Sequence, residues 1–235
     1  DTNIKGTLNI LQASRSLGIK KIVHTSTSEV YGSAQKIPIT ENHPLNGQSP
    51  YSATKIAADQ LANSFYSSYG TPVVTLRPFN TYGPRQSLRA IIPTTISQVV
   101  SGVKEIKLGS LNPTRDFTYI SDTVSAYLKT IKSKKIIGKT INIGAGYEIS
   151  IKNLVNLILN EANRDIKVVL EKNRVRPKNS EVNRLCCSNK LAKKLLNWTP
   201  KYNGKKGLKI GIKKTIEWFS KPENIKKYKS QKFIF

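Results

Sequence analysis

The feature that most constrains the fold is an alternation of strand, helix and strand in the first third of the chain. A predicted strand from Lys21 to Thr25, with Ile22 and Val23 at its core, precedes a helical segment from Tyr51 to Tyr69. A second predicted strand, Val73 to Leu76, follows the helix. Ser49 and Pro50 are typical of a helix start, as N-cap and first-turn proline. Two buried strands joined by a helix pair in parallel, so the alternation predicts an α/β fold with a doubly wound parallel sheet.

Polar side chains follow the first of these strands directly, in the order Ser26, Thr27, Ser28 and Glu29. Open parallel sheets bind their ligands at the carboxyl ends of the strands. There, Thr27 could hydrogen-bond a substrate hydroxyl, and the Glu29 carboxylate could remove a proton from a carbon next to a ketone. The alternative interpretation is a strand-end threonine that satisfies backbone groups, followed by a surface acid.

The helix carries Tyr51 and Lys55, four residues apart and therefore on one face. A free phenol titrates near 10, which is too high for a base at neutral pH. A neighbouring ammonium group lowers that pKa, so the spacing predicts Tyr51 as a base and Lys55 as its activator. An exposed pair without function is the alternative.

The formal net charge of +25 raises the possibility of a basic nucleic-acid-binding module. The lysines are mostly scattered, and the six Lys-Lys pairs are spread along the chain, which favours a solvated surface and no nucleic-acid partner. No apolar stretch is long enough for a membrane span. Two histidines and two adjacent cysteines, Cys186 and Cys187, suggest no metal site and a reducing cytoplasm.

Three segments, taken in order, resemble the NAD-dependent epimerase/dehydratase family, the extended short-chain dehydrogenases. They are Ser26–Gly32, the Tyr51 and Lys55 pair, and Arg77–Pro84, and the later segment Thr114–Asp122 fits as well. The resemblance covers nearly the whole chain. It implies a Rossmann-like sheet with a smaller C-terminal α/β substrate-binding domain. Residues 1–78 would be the C-terminal part of the NAD-binding domain, and 79–235 mainly the substrate domain, with 121–146 returning to the Rossmann sheet.

The resemblance also implies NAD as cofactor, a nucleotide sugar as substrate, and a homodimer. In catalysis, Tyr51 would be the base for oxidation at C4, Thr27 would orient the C4 hydroxyl, and Glu29 would take the C5 proton. The implied cofactor-binding residues are Tyr51, Lys55 and Pro78, with Lys55 on the nicotinamide ribose. The implied substrate-binding residues are Asn80, Arg89, Arg115 and Arg176.

Glu29 makes the motif similar to sugar 4,6-dehydratases and uronate decarboxylases rather than 4-epimerases. Ser28 stands where typical hexose 4,6-dehydratases carry an aspartic acid that protonates the leaving C6 hydroxyl. The triplet Thr27-Ser28-Glu29 is shared with decarboxylases and with legionaminic acid pathway dehydratases that act on nucleotide-linked N-acetylglucosamine. The segment Asn80–Pro93 is most similar to the latter. We therefore expect a 4,6-dehydratase, with UDP-glucuronate decarboxylation or 4-epimerisation as alternatives.

The glycine-rich turn that holds the NAD pyrophosphate in this family has no counterpart in the sequence. The resemblance therefore implies that this part of the Rossmann domain precedes Asp1. On that basis we expect the polypeptide alone not to bind NAD and not to turn over substrate.

Overall fold

A computed structural model describes residues 1–175, 177–226 and 228. The α-helices among them are α1 (Lys5–Ser16), α2 (Pro50–Tyr69), α3 (Ile91–Val100), α4 (Ile120–Lys132), α5 (Ile151–Glu161), α6 (Lys190–Leu196), α7 (Gly204–Phe219) and α8 (Pro222–Ile225). The strands are β1 (Ile22–Thr25), β2 (Val73–Pro78), β3 (Asn80–Tyr82), β4 (Glu105–Leu108), β5 (Thr114–Tyr119), β6 (Thr140–Ile143), β7 (Glu148–Ser150) and β8 (Lys167–Leu170).

The first sheet contains three strands in the order β1-β2-β6, all parallel. Successive side chains of β2 point to opposite faces. Val73 packs in a cluster with Leu11 of α1 and Phe65 of α2, whereas Val74 packs with Ala126 of α4 and Trp198, which follows α6. Helices therefore cover both faces, and the prediction of a doubly wound parallel sheet is confirmed.

The second layer is built on β3 and β5, which are parallel, and on β7, which pairs antiparallel with β5. A separate parallel pair joins β4 to β8. Helices α3, α5 and α7 supply the largest apolar cluster, with Ile96, Leu154 and Ile212 fully buried. Helix α7, the second longest helix among the described residues, has 16 residues and contributes Ile212 to this cluster.

Strands β3 and β7 were not predicted. The segment beginning at Asn80 reads as a turn because Gly83 and Pro84 follow it within a few residues. In the structure Asn80 pairs with Phe117 of β5, so the three residues become a strand through a distant partner. Short strands of this kind are specified by pairing and packing more than by local propensity.

The two layers meet with very little connecting chain. Only Phe79, which is buried, separates β2 from β3, and β5 runs directly into α4. The buried carboxylate of Asp116 on β5 ties these parts to the C-terminal segment, because it accepts backbone N–H groups of Ala145, Gly146 and Cys187 at 2.8, 2.9 and 3.0 Å. Burial raises the pKa of Asp116 to about 6, against these hydrogen bonds. Asp116 thereby connects β5 of the second layer to the segment that follows β6 of the first sheet.

Among the described residues, no helix combines the length and the apolar character that crossing a membrane requires.

Candidate active site

A cavity of about 550 Å³ opens at the carboxyl ends of β1 and β2 and is closed on its other side by the second layer. It brings together nearly all the residues that the sequence singled out. From the first sheet and α2 come Ser26, Thr27, Ser28, Glu29, Tyr51 and Pro78, and from the second layer come Asn80, Arg89 and Arg115.

The segment after β1 forms a single 3-10 turn over Ser28–Tyr31. Thr27 caps this turn, because its Oγ1 accepts the backbone N–H of Glu29 at 3.2 Å. Gly32 ends it with φ of 63°, and a Cβ there would lie 2.8 Å from the backbone oxygen of Asn46. A glycine is therefore required for the chain to leave the turn, and the turn carries Glu29 into the cavity.

Tyr51 is about half exposed to the cavity at the start of α2. Burial raises the pKa of its phenol, the negative charge of Glu29 raises it further, and a hydrogen bond with Thr27 lowers it. The net shift is upward, so the expectation of a lowered pKa was wrong for this structure. The three side chains nevertheless interact, which places a phenol, a hydroxyl and a carboxylate at one point of the cavity.

Lys55 does not line the cavity wall, and its ammonium group donates to the backbone oxygen of Thr25 at 2.6 Å. Burial lowers the pKa of Lys55, and the carboxylate of Asp59, one turn further along α2, opposes that effect. Lys55 thus holds the end of β1 against α2. The pKa of Tyr51 is set by burial, Glu29 and Thr27 instead.

Two amide side chains in the cavity have buried atoms without a partner. They are Nδ2 of Asn80 and Oε1 of Gln86. The other amide atom of Gln86, Nε2, donates to the backbone oxygen of Thr81 at 2.7 Å and so fixes which end faces the cavity. Buried polar atoms are normally paired, so this donor and this acceptor need a partner that the described protein residues do not supply.

The basic side of the cavity differs in part from the prediction. Arg115 pairs with Glu181 at 3.1 Å, and both line the cavity. Arg174, which the sequence argument overlooked, also lines it and pairs with Glu171. Arg176 lies outside the described residues. Gln86, Arg174 and Glu181 reach the cavity through loop folding, for which the sequence offered only their nearness to predicted residues.

Within the described part of the chain, no group of three or more histidine, cysteine, aspartate or glutamate side chains could hold a metal ion.

The fold and the cavity define an α/β enzyme that combines a Tyr-x-x-x-Lys helix with polar strand ends. Residues 1–210 match the sequence model of the family described as GDP-mannose 4,6 dehydratase. The chain belongs to this family, within the NAD-dependent epimerases and dehydratases.

Named relatives carry out more than one reaction. The human dTDP-D-glucose 4,6-dehydratase is 34% identical over 97% of this chain and 64% of its own length. The dTDP-glucose 4,6-dehydratase of Bacillus anthracis, solved in complex with NAD, is 31% identical with a TM-score of 0.83, over 95% of this chain and 69% of that one. The UDP-glucuronic acid 4-epimerase of Bacillus cereus, in complex with UDP-glucuronic acid and NAD, is 28% identical with a TM-score of 0.84, over 92% and 66%. The chain thus spans about two thirds of the length of these proteins.

Proposed function

We propose that this chain supplies the catalytic and sugar-binding residues of an NAD-dependent 4,6-dehydratase that acts on a nucleotide-linked N-acetylglucosamine. The observation that carries the proposal is the interaction of Glu29, Thr27 and Tyr51 in one cavity. A 4-epimerase needs a base only for the C4 hydroxyl. A dehydratase needs a second base for the proton on C5, and the Glu29 carboxylate is available for it.

The first proton transfer falls to Tyr51. With the C4 hydroxyl hydrogen-bonded to Thr27, the phenolate of Tyr51 takes the hydroxyl proton while C4 is oxidised to a ketone. The raised pKa of Tyr51 makes its phenolate scarce at neutral pH but strongly basic once formed. The carboxylate of Glu29 raises that pKa, so the two bases are coupled electrostatically.

Elimination falls to Glu29. The C4 ketone acidifies the C5 proton, which Glu29 removes, and the C6 hydroxyl leaves as water after accepting a proton. Among the described residues that line the cavity, the only carboxylates are Glu29 and Glu181, and Glu181 is paired with Arg115. Because Ser28 is a poor acid, Glu29 gives the C5 proton to the departing oxygen and serves both steps.

The cofactor-facing residues fit NAD. Tyr51 and Pro78 lie at the carboxyl edge of the sheet. An ammonium group has three donors, and the Thr25 carbonyl accepts one from Lys55, which leaves donors for the ribose hydroxyls. When bound, NAD would supply the hydride acceptor for C4 and the hydride donor for C6, and the proton that C5 regains from solvent would balance the one that Tyr51 took from the C4 hydroxyl.

Substrate recognition is proposed to use the second layer. Arginine binds phosphate oxygens through a planar fork, and Arg89 and Arg115 line the cavity where a diphosphate would enter. An N-acetyl group offers one carbonyl acceptor and one N–H donor. These are complementary to the unpaired Nδ2 of Asn80 and Oε1 of Gln86, which we propose as the contacts of the N-acetyl group.

One observation favours decarboxylation of UDP-glucuronate as a second candidate. Ser28 is buried and lines the cavity without being an acid, and loss of carbon dioxide from C5 needs no acid at C6.

The test is made on the full-length gene product, incubated with UDP-N-acetylglucosamine and separately with UDP-glucuronate, with products followed by mass and the C4 configuration of any isomer read by proton NMR. Loss of one water, abolished by Glu29→Gln and by Tyr51→Phe, supports the dehydratase. Glu105→Gln, an exposed acid on β4, is the matched control and should retain the wild-type rate. Loss of carbon dioxide moves the assignment to the decarboxylase. Product of unchanged mass at altered C4 configuration moves it to the epimerase.

We also propose a homodimer that packs through α1 and α2, where Ile10, Leu17 and Tyr69 are exposed. Light scattering of the purified protein tests this, and a monomer mass would contradict it.

The free thiols of Cys186 and Cys187 suit a cytoplasmic enzyme. We propose residues 1–78 as the C-terminal part of the cofactor domain and 79–235 as mainly the substrate domain, with 121–146 returning to the Rossmann sheet.

A further inference from the structure

A fully buried carboxylate, that of Asp59, lies beneath the cavity. It is on α2, two turns after Tyr51. Its Oδ2 accepts a hydrogen bond from the Ser26 hydroxyl at 2.9 Å and another from Nε of Arg77 at 3.0 Å. Its Oδ1 lies 3.0 Å from Nε2 of His24. One side chain of α2 is thereby tied to β1, to the residue that follows β1, and to β2.

The network continues through Arg77 to the far end of the 3-10 turn. Nη1 of Arg77 donates to the hydroxyl of Tyr31 at 2.9 Å, and that hydroxyl donates to Oδ1 of Asn142 on β6 at 2.7 Å. All three side chains are buried. Because Ser26 precedes the turn and Tyr31 is its last residue, the turn that carries Glu29 is held at both ends.

Asp59 is held in its charged form. Burial alone would raise its pKa, but hydrogen bonds from His24 and Ser26 and the charge of Arg77 bring the pKa below its ordinary value. A buried ion pair is weak support for stability, since desolvation offsets the attraction. Such a pair does fix the relative positions of the segments that it joins, here α2 and β2.

We propose that Asp59, acting through Ser26 and Arg77, is a positioning residue that sets where the Glu29 turn lies relative to Tyr51. The consequence for catalysis rests on the proposed function. Two proton transfers at adjacent carbons, C4 and C5, use bases on separate segments. A relative displacement on the order of 1 Å is enough to slow such a step by about 100-fold.

The experiment compares Ser26→Ala and Asp59→Asn with wild type in the full-length protein. Ser97→Ala on α3 is the matched control, because it too removes a buried hydroxyl with one hydrogen bond, to Thr94 at 3.2 Å. Two readouts are taken: amide hydrogen exchange over residues 26–31, and single-turnover rates of cofactor reduction and of water loss. Near-ultraviolet absorbance follows the first step, and product mass follows the second.

Ser26→Ala is expected to speed exchange over residues 26–31 and to slow water loss by about 100-fold, while the KM for the nucleotide sugar and the cofactor-reduction rate change much less. If Ser26→Ala only destabilised the protein, the rates of cofactor reduction and of water loss would fall by the same factor. Equal slowing of both steps, or the same pattern in Ser97→Ala, overturns the proposal.

The exchange readout separates this inference from the proposed function. If wild type converts no nucleotide sugar, the proposed function fails, and faster exchange over residues 26–31 in Ser26→Ala but not Ser97→Ala still supports the positioning network. Unchanged exchange in the variants overturns it. Ser26→Ala leaves the pair between Asp59 and Arg77 in place, so the test does not depend on the folding of Asp59→Asn.

Discussion

Replacing Gly211 by alanine should destabilise the second layer, although alanine is the better helix former. Gly211 lies inside α7, where a glycine costs about 1 kcal/mol relative to alanine. A Cβ at this position would lie 2.0 Å from the hydroxyl oxygen and 2.9 Å from Cζ of Tyr82, and 3.1 Å from Cδ2 of Tyr119. Optimal separations of non-bonded atoms are about 3.5 to 4.0 Å, so α7 must move away from β3 and β5.

Overpacking of a core costs about 1 to 3 kcal/mol. Because the 2.0 Å contact is severe, we take the upper end, and after subtracting the helix-propensity gain of about 1 kcal/mol we expect a net loss of about 2 kcal/mol. The assay is urea unfolding followed by tryptophan fluorescence. Gly6→Ala in α1 is the control, since its nearest atom is a backbone oxygen at 3.9 Å, and it should stabilise the protein.

A double-mutant cycle with Tyr82→Phe tests the cause. Removing the hydroxyl eliminates the shortest contact, so Gly211→Ala should cost less in the Tyr82→Phe background, with a coupling energy of about 1 kcal/mol. If Gly211→Ala stabilises the protein as Gly6→Ala does, or if the two substitutions are additive, the steric argument is refuted.

Three further predictions concern the cavity and the thiols. Glu29→Gln removes the negative charge that raises the pKa of Tyr51, so the acid limb of the cofactor-reduction rate should move to lower pH. Thr27→Val removes the hydrogen bond that lowers the pKa of Tyr51, so the same limb should move to higher pH. A shift of either pH profile in the opposite direction contradicts the assignment. Arg115→Met should weaken binding of UDP by about 10-fold or more in calorimetry, since a charge-assisted hydrogen bond contributes about 1.5 to 3 kcal/mol, and unchanged affinity would remove Arg115 from the binding site. Cys187 is fully buried, and burial raises the pKa of Cys186 to about 11, which keeps its thiol protonated at neutral pH. Ellman's reagent at neutral pH should therefore label both thiols only after unfolding. Rapid labelling of the folded protein would be inconsistent with the structure.

The sequence predicted the features of the fold that depend on local pattern. The helix that begins after Ser49 has the expected N-cap, with Ser52 completing the capping box, and the alternation of strand and helix led directly to the parallel sheet. Strands β3 and β7 have three residues each, which is too few for a periodic signal. They form only because β5 lies between them.

The candidate site was predictable to a similar degree. Polar residues at the end of β1 and the pair on α2 had to meet, because the carboxyl ends of parallel strands share one edge. The direction of the pKa shift of Tyr51 was not predictable, because it depends on how close the Glu29 turn comes to α2 and on where Lys55 places its ammonium group. The spacing of Tyr51 and Lys55 along α2 gives no information on either of these positions.

The short connections between the layers bear on how a ligand enters. Since Phe79 alone joins β2 to β3 and β5 leads straight into α4, a hinge opening would have to stretch hydrogen-bonded strands at two places. We therefore expect the sheets to stay fixed during turnover and the entrance to be controlled by the segments that carry Arg89 and Arg174, which lie outside the paired strands. Cross-links between the sheets should then be tolerated during turnover, whereas a cross-link between those two segments should not.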